Sequence, residues 1–262
     1  MSEYSQRFGG IARLYGQSAL NNFSKAHFCV IGIGGVGSWV AEALARSGIG
    51  QITLVDLDDI CTTNINRQIH ALSQTIGESK VDVMAERINA INPECKVEVI
   101  EDFITLDNLN AHIHSGYDFV IDAIDSVNVK SAIIARCKRQ KIPLVTIGGA
   151  GGQVDPTQIQ ISDLAKTYQD PLLAKVRNQL RREYNFSRNV KRKFSVDAIF
   201  STEQLSYPDE SGGVCQAKQN ADGAMKLDCN TGFGAATHVT ATFAFFAVSH
   251  SLKKYLAKIN RC

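Results

Sequence analysis

Between residues 27 and 147, short apolar runs alternate with longer segments in which apolar residues recur every three to four positions. The runs 27–31, 52–56, 96–100, 119–122 and 144–147 read as strands, and 35–47, 78–91, 106–114 and 127–139 as helices. Alternation of this kind builds a parallel sheet with helices on both faces. The predicted fold is α/β, a Rossmann-like, doubly wound, mainly parallel sheet. Past the glycine cluster at 148–152 the rhythm changes. Gln158-Ile159-Gln160-Ile161 alternates polar and apolar as a half-buried strand does, and is expected to extend the sheet in the antiparallel sense. A helix over 171–184, a strand over 194–200 and a long loop over 205–228, rich in Gly, Pro, Ser and Asp, complete the pattern up to the final element. That element, 233–258, carries no charge before Lys253. Its uncharged length would reach across a bilayer, where about 20 apolar residues suffice. However, Thr237, His238, Thr240, Thr242 and His250 dilute it, and polar side chains are costly inside a membrane. The expectation is a C-terminal helix packed on the sheet.

A chain of 262 residues, 44% hydrophobic and 21% charged, falls within the range of one large α/β domain. Residues 1–165 form its nucleotide-binding part, and 166–262 supply a basic segment, a loop and the last helix. A net charge of +2 confines any nucleic-acid surface to a local patch. The first thirty residues lack the charged start, apolar core and cleavage site of a secretory signal, so a cytoplasmic location is expected. Seven cysteines without a single Cys-x-x-Cys suggest reduced thiols and no structural zinc. His112 and His114, at i and i+2, would diverge on a helix.

Val30-Ile31-Gly32-Ile33-Gly34-Gly35-Val36-Gly37 joins an apolar run to an amphipathic helix, the arrangement of a nucleotide-phosphate cradle. Gly32 permits the tight exit from the strand, Gly34 removes a side chain that would hold phosphate off the backbone, and Gly37 lets the helix approach the sheet. Asp56 closes the second strand at about the 20-residue offset of a ribose-binding carboxylate. These features suit NAD and ATP alike.

Arg67, in Asn64-Ile65-Asn66-Arg67-Gln68, and Lys80, at the head of the next helix, separate the two. A pyrophosphate is already served by backbone amides and the helix dipole, whereas a reacting triphosphate calls for fixed cations. Arg67 can fork onto phosphate oxygens and Lys80 can act as a point charge. Either residue alone would pass for a solvated surface charge. The fourth strand ends Asp122-Ala123-Ile124-Asp125, placing two carboxylates at the ligand edge of the sheet. Mg2+ takes one or two carboxylates plus phosphate oxygens, so Asp125, with Asp122 nearby, is a metal candidate. Asp125 is equally placed to cap the helix that follows.

Gly32-x-Gly34-Gly35-x-Gly37, Asp56-Leu57-Asp58, Asn64-x-x-Arg67-Gln68, Lys80 and Asp122-x-x-Asp125, in this order, resemble the ubiquitin-activating-enzyme-like superfamily, which includes the adenylyltransferases of molybdopterin and thiamine biosynthesis. The resemblance implies ATP and Mg2+ as cofactors, with Asp56 on the ribose, Asn64, Arg67 and Lys80 on the phosphates, and Asp125 on the metal. It also implies a homodimer in which an N-terminal arginine, Arg7 or Arg13, enters the neighbour's site. Arg67, Lys80, Asp125 and Arg13 would then carry catalysis. The zinc-binding Cys-x-x-Cys pairs of many members are missing. Arg7-Phe8-Gly9-Gly10-Ile11-Ala12-Arg13, Ile147-Gly148-Gly149-Ala150-Gly151 and Asp228-Cys229-Asn230-Thr231-Gly232-Phe233-Gly234 resemble one branch, the tRNA threonylcarbamoyladenosine dehydratases, over almost the whole chain.

That branch implies ATP-driven cyclisation of threonylcarbamoyladenosine in tRNA, together with a cysteine-desulfurase or sulfur-acceptor partner. A carboxylate oxygen is a poor leaving group until it is activated, and the tethered carbamoyl oxygen then closes the ring at high effective molarity. Lys175, Arg177, Arg181, Arg182, Arg188, Lys191, Arg192 and Lys193, opposed only by Glu183, suit a tRNA backbone. Arg181, Arg182, Lys191, Arg192 and Lys193 are the expected contacts, with Tyr184 and Phe186 interleaved to stack on a base. Such a run taken alone also describes a solvated helix face. Cys215 and Cys229 are expected to be ordinary thiols, since no basic residue lies beside either one to depress its pKa and Lys218 is a weak candidate for that part. Activation of a sulfur-carrier protein's C terminus is the alternative function. An NAD-dependent oxidoreductase is disfavoured by Arg67, Lys80 and Asp125 together.

Overall fold

A computed structural model gives the structure of the chain and describes residues 2–209, 212–216 and 233–260. The elements are α1 (Glu3–Tyr15), α2 (Gln17–Phe23), β1 (His27–Ile31), α3 (Gly37–Arg46), β2 (Gln51–Val55), α4 (Lys80–Ile91), β3 (Lys96–Ile100), α5 (Leu109–His112) and β4 (Phe119–Asp122). They continue with α6 (Val127–Gln140), β5 (Leu144–Ile147), β6 (Ile159–Asp163), α7 (Pro171–Glu183), β7 (Asp197–Ser201), β8 (Tyr207–Pro208), β9 (Val214–Cys215) and α8 (Thr237–Ile259).

Seven strands form one sheet in the order β3-β2-β1-β4-β5-β7-β6, parallel throughout except for the antiparallel edge strand β6. β1, β2 and β4 are apolar on both faces, as a sheet covered on both sides demands. On one face α3, α4 and α8 bury Val30, Val40, Met84 and Phe243 in the main core; on the other α6 packs over Cys29, Ile31, Ile133 and Cys137. Phe243 alone, wholly buried, stabilises α8 by roughly 2–3 kcal/mol relative to exposure. α7 starts with Asp170 accepting from the Leu173 amide at 2.8 Å and Pro171 at its first turn, the local signals of a helix start.

Several expectations change, among them the helix expected at 106–114, which is only Leu109–His112. The strand expected at 194–200 spans Asp197–Ser201 and enters between β5 and β6, so that β6 pairs with β7 and not with β5. Ala198, Ile199 and Phe200 are buried and take the interior position, while β6 exposes Gln160 and Ile161 at the edge. The loop expected at 205–228 contains a short hairpin, Tyr207 opposite Cys215. Residues 3–23, for which the sequence offered no element, form two helices; α1 buries only Phe8 and carries Gly9-Gly10 mid-helix, so its apolar period is faint. The last helix begins at Thr237, and among the described residues no helix is long and apolar enough to cross a membrane.

The chain runs outward from β1 to β3, then returns to place β4 on the other side of β1. A reversal of this kind opens a crevice at the carboxyl ends of the strands. Gly32 exits β1 at φ +84°, and a Cβ on Gly37 would stand 1.7 Å from the Gly32 carbonyl oxygen. The helix can therefore start against the strand only because residue 37 has no side chain. Gly37→Ala should lower the thermal midpoint by several degrees, since forced overpacking typically costs about 1–3 kcal/mol or more. An unchanged midpoint in a melting curve would refute the close approach.

Candidate active site

A cleft of about 590 Å³ opens at the β1/β4 reversal, lined by Gly32, Gly34, Gly35, Asp56, Asp58, Asn64, Arg67, Lys80 and Asp125. Asp56 is fixed by two backbone amides, Ile33 donating to Oδ2 at 2.6 Å and Asp58 donating to Oδ1 at 2.9 Å. Each oxygen keeps lone pairs for a ligand's hydroxyls. A Cβ on Gly34 would meet nothing nearer than Gln68 Nε2 at 3.9 Å, so the space above it is open. The start of α3 lies at this edge, where the first amides and dipole of a helix favour an anion.

The expected phosphate turn is folded tightly. The amides of Arg67 and Gln68 donate to the Asn64 carbonyl at 3.0 Å each, and buried Asn64 accepts from the Cys61 amide through Oδ1 at 3.0 Å. Arg67 lies along Gly35 and donates from Nη1 to the Thr63 carbonyl and to Asn66 Oδ1, at 2.7 and 3.0 Å. Lys80 is only 5% exposed, and its Nζ is 2.7 Å from Asp58 Oδ2. This ion pair holds the ammonium at the cleft wall. His70 braces the back of the glycine turn, its Nε2 2.8 Å from the Ile33 carbonyl, and burial pushes its pKa below the ordinary value. With a carbonyl as partner, Nε2 carries the proton and donates.

The two carboxylates of the β4 exit part company. Asp122, expected beside the ligand, is wholly buried and does not line the cleft. Its Oδ1 is 3.0 Å from Nζ of Lys130, also wholly buried, and its Oδ2 accepts from Thr146 Oγ1 at 2.7 Å. Burial pushes the Asp122 carboxyl above its ordinary range, and the Lys130 ammonium opposes that shift. Lys130 also donates to the carbonyls of Asp122 and Ile124, at 3.3 and 2.8 Å, so it fixes the backbone that presents Asp125. Asp125 is exposed, lines the cleft and makes no hydrogen bond or ion pair among the described residues. It does not cap α6, whose N-cap is Ser126.

Sequence reasoning gave no role to several walls. Gln68, Phe103, Ile104, the 148–151 glycine segment, Leu172, Ala235 and Thr240 also line the cleft. Only the glycine cluster and Gln68 carried a visible signal. Lys130 was hidden among ordinary helix residues. Gly148 has its own reason, since a Cβ there would stand 1.9 Å from Asp170 Oδ2. Asn66 Nδ2 donates to the Ala235 carbonyl at 2.7 Å and Thr237 Oγ1 donates to the Asn66 carbonyl at 2.5 Å, tying α8 to the phosphate turn.

Arg7 and Arg13 lie far from this chain's cleft. Tyr4 donates to the Gly48 carbonyl, and Arg7 to the Ile91 carbonyl, beyond the ends of α3 and α4 that point away from the cleft. Arg7 is also paired with Glu3, whereas exposed Arg13 has no ion pair among the described residues. In the basic segment, Arg181 stands 5.2 Å over the Phe194 ring and Arg182 pairs with Glu183, while Lys191, Arg192 and Lys193 are exposed. Tyr184 and Phe186, expected to be free for stacking, pack on the α6–α7 cluster, Phe186 edge-on to Phe194. Their apolar bodies are used in the fold. Cys215 is partly buried in β9; Cys229 and Lys218 lie outside the described residues. Among the described residues no group of three or more His, Cys, Asp or Glu is arranged to hold a metal.

The sequence model of the ThiF family matches residues 6–261. The chain is 62% identical over 258 residues to the tRNA threonylcarbamoyladenosine dehydratase of Escherichia coli (strain K12), covering 98% of this chain and 96% of that protein. The solved structure of TcdA (CsdL) superposes with a TM-score of 0.92 at 59% identity, covering 100% of this chain and 98% of that one. The E. coli tRNA N6-threonylcarbamoyladenosine dehydratase in complex with ATP superposes with a TM-score of 0.89 at 58% identity, with the same coverage.

Breaking a buried ion pair from one side costs roughly 3–5 kcal/mol, so Lys130→Met should lower the thermal midpoint by on the order of 10 °C. Asp122→Asn combined with Lys130→Met should recover part of the loss. A single variant as stable as the parent would show that the pair does not hold the β4 exit.

Proposed function

The chain belongs to the ThiF family, and we propose that it is an ATP-dependent dehydratase that cyclises N6-threonylcarbamoyladenosine in tRNA. The observation that carries this reading is the convergence of Arg67, Lys80 and Asp125, from three separate segments, on one cleft beside the glycine turn. Similarity of fold and sequence to dehydratases over nearly their whole length, 62% identical in one case, supports it over activation of a sulfur-carrier protein.

In this reading ATP lies along the cleft. Asp56 takes the ribose hydroxyls, and the amides of the Gly34 turn and α3 take phosphate oxygens. The substrate carboxylate attacks the α-phosphorus and pyrophosphate leaves, so Arg67 and Lys80 stabilise charge that grows on the departing oxygens. Asn64 adds its side-chain amide. Asp58 holds the Lys80 side chain in place. The carbamoyl oxygen then attacks the activated carbonyl carbon, AMP departs with the former carboxylate oxygen, the carbamoyl nitrogen releases its proton to solvent, and the nucleoside has lost one water. Ring closure is intramolecular and needs positioning more than a nucleophile.

The exposed Asp125 carboxylate, without a hydrogen bond or ion pair among the described residues, fits Mg2+, which is commonly held by one or two carboxylates and the nucleotide's own phosphates. Asp125 would hold it, and the ion would neutralise charge on the phosphates. Asp122 has no part in this, being committed to Lys130 and Thr146. Arg13 would act across a homodimer, entering the neighbour's site from α1. The basic segment, with Lys191, Arg192 and Lys193 outermost and Arg181 and Arg182 behind them, would meet the tRNA backbone. A cytoplasmic location follows from that substrate. A sulfur-transfer partner is implied by family resemblance alone.

Incubation with ATP, Mg2+ and tRNA bearing threonylcarbamoyladenosine should yield a nucleoside lighter by one water on mass spectrometry, with release of AMP and pyrophosphate. Lys80→Ala and Asp125→Ala should each cut turnover by roughly a hundredfold or more without unfolding the chain. Full activity in either would remove the phosphate and metal roles; ADP and phosphate as products would remove adenylyl transfer. Arg13→Ala should be inactive alone. Mixed with Lys80→Ala subunits and allowed to exchange, it should regain about a quarter of wild-type activity, because each mixed dimer contains one intact site. No recovery on mixing would rule out action across the dimer.

A further inference from the structure

A second cavity of about 430 Å³ lies at the same edge of the sheet, beyond the Gly148–Gly151 wall of the nucleotide cleft, lined by Pro171, Ala174, Arg177, Gln204, Tyr207 and Gln216. Arg177 is half-buried there. Its Nη1 donates to the buried hydroxyl of Thr167, and no carboxylate forms an ion pair with it among the described residues. Asp170 stands in the same wall, but its oxygens are taken by the Leu173 and Gly149 amides at 2.8 and 3.0 Å. Burial, and next the neighbouring Arg181, push the Arg177 pKa down, while the Asp170 carboxylate opposes them without reaching ion-pair distance. A half-buried guanidinium with no carboxylate bonded to it is costly, and its remaining N–H groups suit the oxygens of an oxyanion.

Arg181 lies one turn further along α7 on the same face, and beyond it comes the exposed Lys191-Arg192-Lys193 loop, tied down where Lys166 donates to the Val190 carbonyl at 2.7 Å. A line of positive charge thus runs from the cavity outward. The reacting carboxylate must sit inside the nucleotide cleft, on the other side of the glycine wall, so the oxyanion meeting Arg177 is a different one. Resting on the tRNA reading above, we infer that Arg177 binds a backbone phosphate of the substrate RNA close to the reacting nucleotide, with Gln204, Tyr207 and Gln216 around that phosphate's nucleotide.

The test compares two anticodon stem-loop RNAs, one carrying threonylcarbamoyladenosine and one with plain adenosine at the same position, over a series of salt concentrations. Arg177→Met should weaken binding of both roughly tenfold and lower the salt slope by about one phosphate contact, with ATP affinity unchanged. Arg177→Lys should keep the slope and lose only part of the affinity, because the charge remains and the fork is gone. Wild-type affinity in Arg177→Met would overturn the inference, as would a loss confined to the modified RNA, which would place the substrate carboxylate at Arg177. Failure of the parent chain to dehydrate the tRNA would instead sink the functional reading itself, and this inference with it.

Discussion

The buried ammonium of Lys130 holds the exit of β4 in place, and the cleft depends on that exit. Lys130 is tied to the Asp122 carboxylate and to the carbonyls of residues 122 and 124. The same backbone touches the opposite wall, because a Cβ on Gly32 would stand 2.9 Å from the Ile124 side chain and 3.2 Å from the Ala123 backbone. The β1 and β4 exits are thus packed against each other, with the start of α3 wedged beside Gly32. Moving any one of the three would displace the amides at the start of α3, Asp125 or both. An ion pair so deeply buried is a poor source of net stability, and its value here lies in fixing geometry.

Most of the fold was legible because fully buried parallel strands and amphipathic helices have distinct periods. The nucleotide residues were legible because glycines and charges at strand exits have few other reasons to recur in that order. What stayed hidden did so for physical reasons. Sequence shows that a carboxylate ends a strand but not which way it faces; Asp122 points into the protein and Asp125 into the cleft. Lys130 looked like any lysine on a helix until its burial was known. β7 carries the apolar centre Ala198-Ile199-Phe200, yet nothing in its sequence said that it would separate β5 from β6.

The basic segment taught a similar lesson about charge counted along a chain. Eight cations close in sequence are not eight free cations in space. Arg182 is neutralised by its neighbour, Arg181 lies over an aromatic ring, and Arg177 faces a cavity. The aromatic residues between them serve the α6–α7 packing. Lys175, Arg188 and the loop at 191–193 keep the bare charge that the sequence suggested for all.

The clasp between Asn66 and the start of α8 joins residues 171 positions apart. Closing so long a loop carries an entropic cost that local helix formation does not, and contacts of this range form late in folding. The turn bearing Arg67 is also gripped by Trp39, which donates to the Arg67 carbonyl at 3.0 Å, but Ala235 and Thr240 reach the cleft only when α8 docks. A chain whose glycine turn and Asp56 were already formed would still offer an incomplete nucleotide site. Ligand affinity then reports completed assembly, so that a chain arrested before the last helix docks forgoes the extra stability that a bound nucleotide confers on the finished state.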